Sequence, residues 1–267
     1  LKSIWILIEG RIDYPNFIKK IKPIIVSITG GEPLIRKDLE QIINGIHKAD
    51  PTTYIMMITN GSLLTAKRAE SLYRAGLSAI NISMDYIGKK HDENRGIPGL
   101  FDKIVDIIPE IKSIGFDIIS FNTVIMDDNL DQIIPLVDFA QDLGININFS
   151  SYSNLKNNKT DFLVKEKNLH KLESLIEKLI AHKKHSKTIK TSNYYLKNVI
   201  NYFGGQKIDG CLAGIKWILI TSDAKIKRCS EKKAETDITS YTNKTFNKTD
   251  CNLCWFSCRG EAQCPLT

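Results

Sequence analysis

Five short runs rich in β-branched residues, alternating with stretches of helical period, restrict this chain more than any other feature. The runs are KPIIVSIT (22–29), TTYIMMIT (52–59), LSAINISMD (77–85), FDIISFNTVI (116–125) and GININFSS (144–151). Each has the length and apolar character of a strand buried in a parallel sheet. Between them, RKDLEQIINGIHKAD (36–50), TAKRAESLYRAG (65–76), GLFDKIVDIIPEIKSIG (99–115) and NLDQIIPLVDFAQDLG (129–144) carry apolar residues at helical spacing. Three of these four stop at or near a glycine, as helices do where a left-handed residue closes the last turn. Pro109 and Pro135 fall inside two of them and are expected to kink those helices or mark their first turns. Strand followed by helix, repeated, is the signature of right-handed βαβ units. An α/β fold with a parallel sheet follows.

Downstream, residues 165–185 read as a long charged amphipathic helix, and TSNYYLKNVINYFGG (191–205) as a shorter one ending in two glycines. From about residue 206 the texture changes to a strand pair, KWILITSDAKIKRCS (216–230), then a polar linker rich in Thr, Asn and Lys, then a cysteine cluster. The expected domain boundary is therefore 204/205, with a main domain over 1–204 and a small one over 205–267. A chain of 267 residues is long enough for one sizeable core with such an appendage.

No apolar run approaches the length needed to cross a bilayer, and no basic-then-apolar leader opens the chain, so the expected location is the cytoplasm, with no membrane partner. The net charge of +7 comes from lysines such as those of AHKKHSK (181–187), which lack interleaved aromatic residues. That pattern reads as a solvated helix face, and a nucleic-acid partner is not expected. The five histidines make no metal-ligand pattern.

In parallel α/β folds ligands gather at the carboxyl ends of the strands. There the sequence repeats glycine and small polar residues: TGGEP (29–33), TNG (59–61), SMD (83–85) and NT (122–123). Gly30 and Gly31 bare the backbone, Pro33 stiffens the exit, and Glu32 offers an acceptor for an amine. SITGGEPLIRKDL, ITNGSLLT, INISMD, HDENRG and FNTVI, in this order over about residues 20–150, resemble the radical S-adenosylmethionine (radical SAM) superfamily.

The resemblance implies a partial (β/α)6 TIM-like barrel that holds S-adenosylmethionine against a [4Fe-4S] cluster. It implies that Gly30, Gly31, Glu32 and Pro33 bind the methionine amino group, that Ser83, Asp85 and Arg95 face the methionine carboxylate and ribose, that Asn122 faces the ribose, and that Thr59, Asn60 and Gly61 shape the floor. On the residues alone, Arg95 could instead pair with Asp92 or Glu93. In this superfamily a CxxxCxxC motif after the first strand ligates the cluster; here no cysteine precedes Cys211. Residue 1 is Leu, and the segment before GGEP has about the length that separates the two motifs, so the expectation is a chain beginning beyond that loop and lacking the first barrel strand, with the cluster's ligands outside it.

All six cysteines, Cys211, Cys229, Cys251, Cys254, Cys258 and Cys264, lie in the last quarter of the chain. Clustered thiols in a chain with no sign of export point to metal rather than disulfides. Spacing alone leaves zinc and an iron–sulfur cluster open. A cysteine at each end of a strand pair followed by CxxC resembles the SPASM and twitch extensions of the same superfamily, a small cysteine-rich β-hairpin domain. That resemblance implies an auxiliary [4Fe-4S] cluster on Cys211, Cys229, Cys251 and Cys254, with Cys258 and Cys264 completing a second cluster, substituting for one ligand, or standing apart. Ala224 occupies the spacing at which these extensions carry a glycine. Trp217, Trp255 and Phe256 are expected to shield the cluster or to form ordinary core, and Arg259 and Glu261 to form a surface pair.

The activity implied is reductive cleavage of S-adenosylmethionine to a 5'-deoxyadenosyl radical that abstracts hydrogen, with flavodoxin or ferredoxin as electron donor. A peptide or protein is the expected substrate, a small metabolite the alternative, and a degenerate barrel with a zinc-stapled tail the non-catalytic reading.

Overall fold

The structure, a computed structural model, describes residues 3–7, 13–208 and 210–265, the first of these stretches as backbone only. In chain order it contains β1 (Ser3–Leu7), α1 (Tyr14–Ile21), β2 (Ile25–Thr29), α2 (Leu39–Ala49), β3 (Tyr54–Thr59), α3 (Ala66–Arg74), β4 (Ala79–Ser83), α4 (Lys89–Arg95) and α5 (Leu100–Ile114). These are followed by β5 (Ile118–Ile125), α6 (Ile133–Asp142), β6 (Asn146–Ser151), α7 (Leu169–His182), α8 (Asn193–Phe203), β7 (Trp217–Ile220), β8 (Lys225–Lys227), β9 (Thr236–Asp237) and α9 (Ser257–Gln263). Every strand and helix read from the alternating pattern forms within its predicted run. Pro135 falls in the first turn of α6, whereas α5 continues through Pro109.

The chain folds as two compact units that interleave in sequence: residues 1–82, 103–119 and 212–248 make the first, and 83–102, 120–211 and 249–267 the second. The tail beyond residue 204 contributes to both.

In the first unit the strand order is β4-β3-β2-β1-β7-β8-β9. The five strands from β4 to β7 are parallel, and β8 and β9 join antiparallel. The expectation of a missing first strand is corrected here: β1 pairs with β2 from Ser3↔Ile25 to Leu7↔Thr29, so β2 is not an edge. Residues 8–12, between β1 and α1, lie outside the described residues. Helix α1 buries Phe17 and Ile18, and α2 buries Leu39, Ile43 and Ile46. These apolar faces cover strand residues Val26, Ile28, Ile55 and Met57, all with no exposed surface.

Residues 236–250, read as a linker, are partly packed instead. Tyr241 is fully buried, its ring 5.8 Å from Phe17 and 6.0 Å from Phe246. In the β7–β8 hairpin, Ala224 adopts φ +63°, the left-handed conformation in which glycine pays no steric penalty and alanine does.

The second unit contains the parallel pair β5–β6, in register from Ser120↔Asn146 to Ile125↔Ser151. Phe121, Thr123, Ile125, Ile147, Phe149 and Ser151 are buried, and the Phe121 ring stacks on Phe139 of α6 at 6.2 Å. The alternate positions, Ser120, Asn122, Asn146, Asn148 and Ser150, make the other face polar, which is unusual for a parallel pair. Helix α9 seats against α8 through aromatic packing. Trp255 stacks on Tyr195 at 5.5 Å, its Nε1 donates to the Tyr195 carbonyl, and the Tyr195 hydroxyl donates to the Trp255 carbonyl. Ser151 N donates to the same hydroxyl, tying α8 to the end of β6. No helix among the described residues is long and apolar enough to cross a membrane.

Candidate functional site

The sequence-predicted residues fall into two constellations, one in each unit. In the first, Glu32 follows the exposed Gly30 and Gly31 at the end of β2 and links that turn to the end of β3. Its Oε1 accepts hydrogen bonds from Leu34 N at 3.1 Å and Thr59 Oγ1 at 2.7 Å, and its Oε2 accepts one from Asn60 N at 2.7 Å. Pro33 opens a 3-10 turn, Pro33–Ile35, that carries the chain away. Glu32 therefore braces two strand tips, with one acceptor position left on Oε2 for a further donor. Thr59 Oγ1 passes the link on by accepting Gly61 N at 3.0 Å, and Asn60 Oδ1 accepts Ser62 N at 2.8 Å.

The glycines differ in what requires them. Gly61 has φ +81°, and a Cβ there would sit 2.9 Å from Ile104 Cγ1, so the chain's own packing demands glycine. A Cβ on Gly31 would meet nothing within 4 Å. Its missing side chain leaves backbone open to a ligand rather than to a neighbouring element.

In the second unit, Asp85 beyond the end of β4 is buried and fully engaged. Its Oδ1 accepts Val124 N at 2.9 Å and its Oδ2 accepts Arg95 Nη2 at 2.5 Å. Burial pushes the Asp85 carboxyl above its ordinary range while Arg95 beside it pulls the other way. The pairing of Arg95 with Asp92 or Glu93 is thus corrected: Asp92 caps the approach to α5, accepting Gly99 N and Phe101 N. Met84 N donates to the Asn122 carbonyl, and Thr123 Oγ1 donates to the Met84 carbonyl, so Ser83, Asp85 and Asn122 are held on neighbouring segments. Asn129, absent from the sequence reading, donates from Nδ2 to the Asp85 and Val124 carbonyls and locks this turn.

His91 was also missed. It is fully buried on α4, and its Nδ1 accepts Asp85 N at 3.4 Å. Burial, then the Arg95 charge, lower its pKa from 6.5 to about 4, so the ring is neutral. The signal was present in HDENR, which places His91 and Arg95 one helical turn apart.

Cys229 belongs to the first unit, whereas Cys211, Cys251, Cys254, Cys258 and Cys264 belong to the second. Among the described residues no group of three or more His, Cys, Asp or Glu side chains is placed to hold a metal ion. The arrangement does not fit a cluster or zinc as it stands. Trp217 and Trp255 are buried core residues of their respective units. The surface pair expected for Arg259 and Glu261 is corrected: Arg259 is 1% exposed and donates to the carbonyls of Cys254 and Ile208, while Glu261 accepts Ser192 N.

With this geometry in place, the comparison with known proteins is direct. The sequence profile of the Radical SAM superfamily matches residues 16–140. This segment is a radical SAM domain. It holds the GGEP turn, the TNG and SMD strand ends, His91 and Arg95. Radical SAM enzymes use S-adenosylmethionine and a [4Fe-4S] cluster.

Curated relatives include the GTP 3',8-cyclase of Staphylococcus haemolyticus (strain JCSC1435), 41% identical over 150 residues, which are 54% of this chain and 42% of that protein. The GTP 3',8-cyclase of Aquifex aeolicus (strain VF5) is 32% identical over 143 residues, 52% of this chain and 44% of the relative. The chain thus spans less than half the length of these relatives. Among solved structures, Streptococcus suis SuiB bound to S-adenosylmethionine superposes with a TM-score of 0.68 at 18% identity, covering 89% of this chain and 63% of SuiB. SuiB bound to precursor peptide SuiA gives 0.66 at 17% identity, covering 88% and 62%. At such identity the likeness establishes the fold, which is the partial TIM-like α/β architecture of the radical SAM proteins.

Proposed function

We propose that this chain belongs to a radical SAM enzyme acting on a small polar metabolite, with a purine nucleotide as the first class to test. The observation carrying this reading is the identity of up to 41% to proteins named GTP 3',8-cyclase, over the stretch that contains the strand-end motifs. This moves the weight from a peptide, expected from the cysteine tail, to the metabolite alternative. The polar face of β5–β6 supports it, because side chains such as Asn122 suit a ligand rich in hydrogen-bonding groups better than an apolar one.

In this reading the open backbone at Gly31 and the remaining acceptor position of Glu32 take the amino group of S-adenosylmethionine. Arg95, oriented by Asp85, takes the carboxylate, and Ser83 and Asn122 approach the ribose. Thr59, Asn60 and Gly61 keep the turn between β3 and α3 rigid. When bound and reduced by one electron, S-adenosylmethionine supplies methionine and a 5'-deoxyadenosyl radical that takes a hydrogen atom from the substrate. The tail cysteines carry no step in this scheme.

The test uses the full-length protein reconstituted anaerobically with iron and sulfide, given S-adenosylmethionine and dithionite. Chromatography of 5'-deoxyadenosine should show a rise of severalfold on adding GTP. A rise with unstructured peptide substrates and none with nucleotides would overturn the metabolite assignment while leaving the radical chemistry intact.

A further inference from the structure

Three observations on α4 converge. First, His91 has no exposed surface and accepts Asp85 N on Nδ1, so the neutral ring carries its proton on Nε2. That Nε2 is buried and has no hydrogen-bond partner among the described residues. Second, Arg95, four residues later on the same helical face, spends Nη2 on Asp85, yet its Nε is also buried without a partner. Third, both side chains are anchored to one residue, Asp85, through its amide and its carboxylate. Buried donors are almost always satisfied, and leaving two of them unpaired costs each its desolvation. Two unsatisfied N–H groups side by side call for an acceptor that the chain does not supply.

We propose that His91 Nε2 and Arg95 Nε form a two-donor seat for an anionic oxygen of a bound ligand, a carboxylate or a phosphate. The seat deepens the proposed function, since it rests on Arg95 facing the ligand, and it makes His91 a second binding residue. A neutral imidazole suits the task, because it donates one hydrogen bond without adding a second cation next to Arg95. The pairing with Asp85 fixes the guanidinium, so its plane and its free edge are set before the ligand arrives.

Calorimetric titration of the full-length protein separates the two sources of the anion. The ligands are S-adenosylmethionine against its decarboxylated analogue, and GTP against guanosine. His91→Phe removes the donor, whereas His91→Gln keeps one. If the anion is the cofactor's carboxylate, His91→Phe weakens S-adenosylmethionine about tenfold and leaves the decarboxylated analogue unchanged, and His91→Gln restores most of the loss. If it is a substrate phosphate, the same contrast appears between GTP and guanosine. Arg95→Lys, which keeps the charge and loses the Nε–H, should follow His91→Phe in the same ligand pair. Equal losses for both members of each pair, or no loss in any, overturn the seat while leaving the radical SAM reading standing. A wild-type protein that binds none of the four ligands overturns both.

Discussion

Glu32 illustrates how a motif residue recruited for a ligand also holds its own loop. One carboxylate satisfies Leu34 N, Thr59 Oγ1 and Asn60 N. Glu32→Gln would place an amide donor against one of these N–H groups, so it should cost about 2 kcal/mol of stability in urea unfolding, the scale for an unsatisfied donor beside a lost charge-assisted bond. Unchanged stability would mean that the brace contributes nothing. His91 offers a test by pH. Its folded pKa of about 4 lies below the ordinary 6.5, so the folded state takes up fewer protons than the unfolded chain between these values. Stability from this residue is therefore complete above pH 6.5 and is lost as pH falls towards 4. Between pH 7.5 and 5 the wild type should lose about 2 kcal/mol more than His91→Gln, whose side chain does not titrate. The charges facing the ring are Arg95 and Asp92, and neither changes state across most of that range.

At the scale of elements, α9 shows how a short helix of low intrinsic propensity is held. SCRGEAQ has a glycine inside it and is too short to persist alone, so its order comes from contact with α8. Gly260 allows that contact: a Cβ there would overlap the Tyr195 ring and crowd Trp255. Gly260→Ala should therefore cost about 1–3 kcal/mol, as overpacking does, and expose the chain around Arg259 to trypsin in limited proteolysis. An unchanged digestion pattern would show that α9 seats by other contacts. The strand tips obey the same logic. The turn after β3 is short because Gly61 takes a left-handed conformation under Ile104 and Ile82, and that closeness delivers Thr59 and Asn60 to Glu32.

For the whole molecule, the interleaving of the two units has a consequence for truncation. Ending the chain at residue 204 would remove β7, which pairs with β1, from one unit, and α9, which covers Tyr195, from the other. Residues 1–204 should unfold at a markedly lower urea concentration than the whole chain, as read by circular dichroism. Equal midpoints would mean that the tail is an independent module. The β/α order, the five central strands and the strand-end motifs were all readable in sequence, because apolar period and turn residues are local properties. Asn129, His91 and the coupling of Asp85 to Arg95 were not, because each depends on which backbone donor from a distant strand arrives beside a buried side chain. Arg259 looked like a surface residue for the same reason: charge is visible in sequence, and the carbonyls that surround it are not. The sequence by itself determined the alternation of elements and the chemical types present at the strand ends. Only the tertiary structure decided which of those groups are consumed in bracing one another and which are left with hydrogens to donate, since that depends on distances set by packing between segments far apart in the chain.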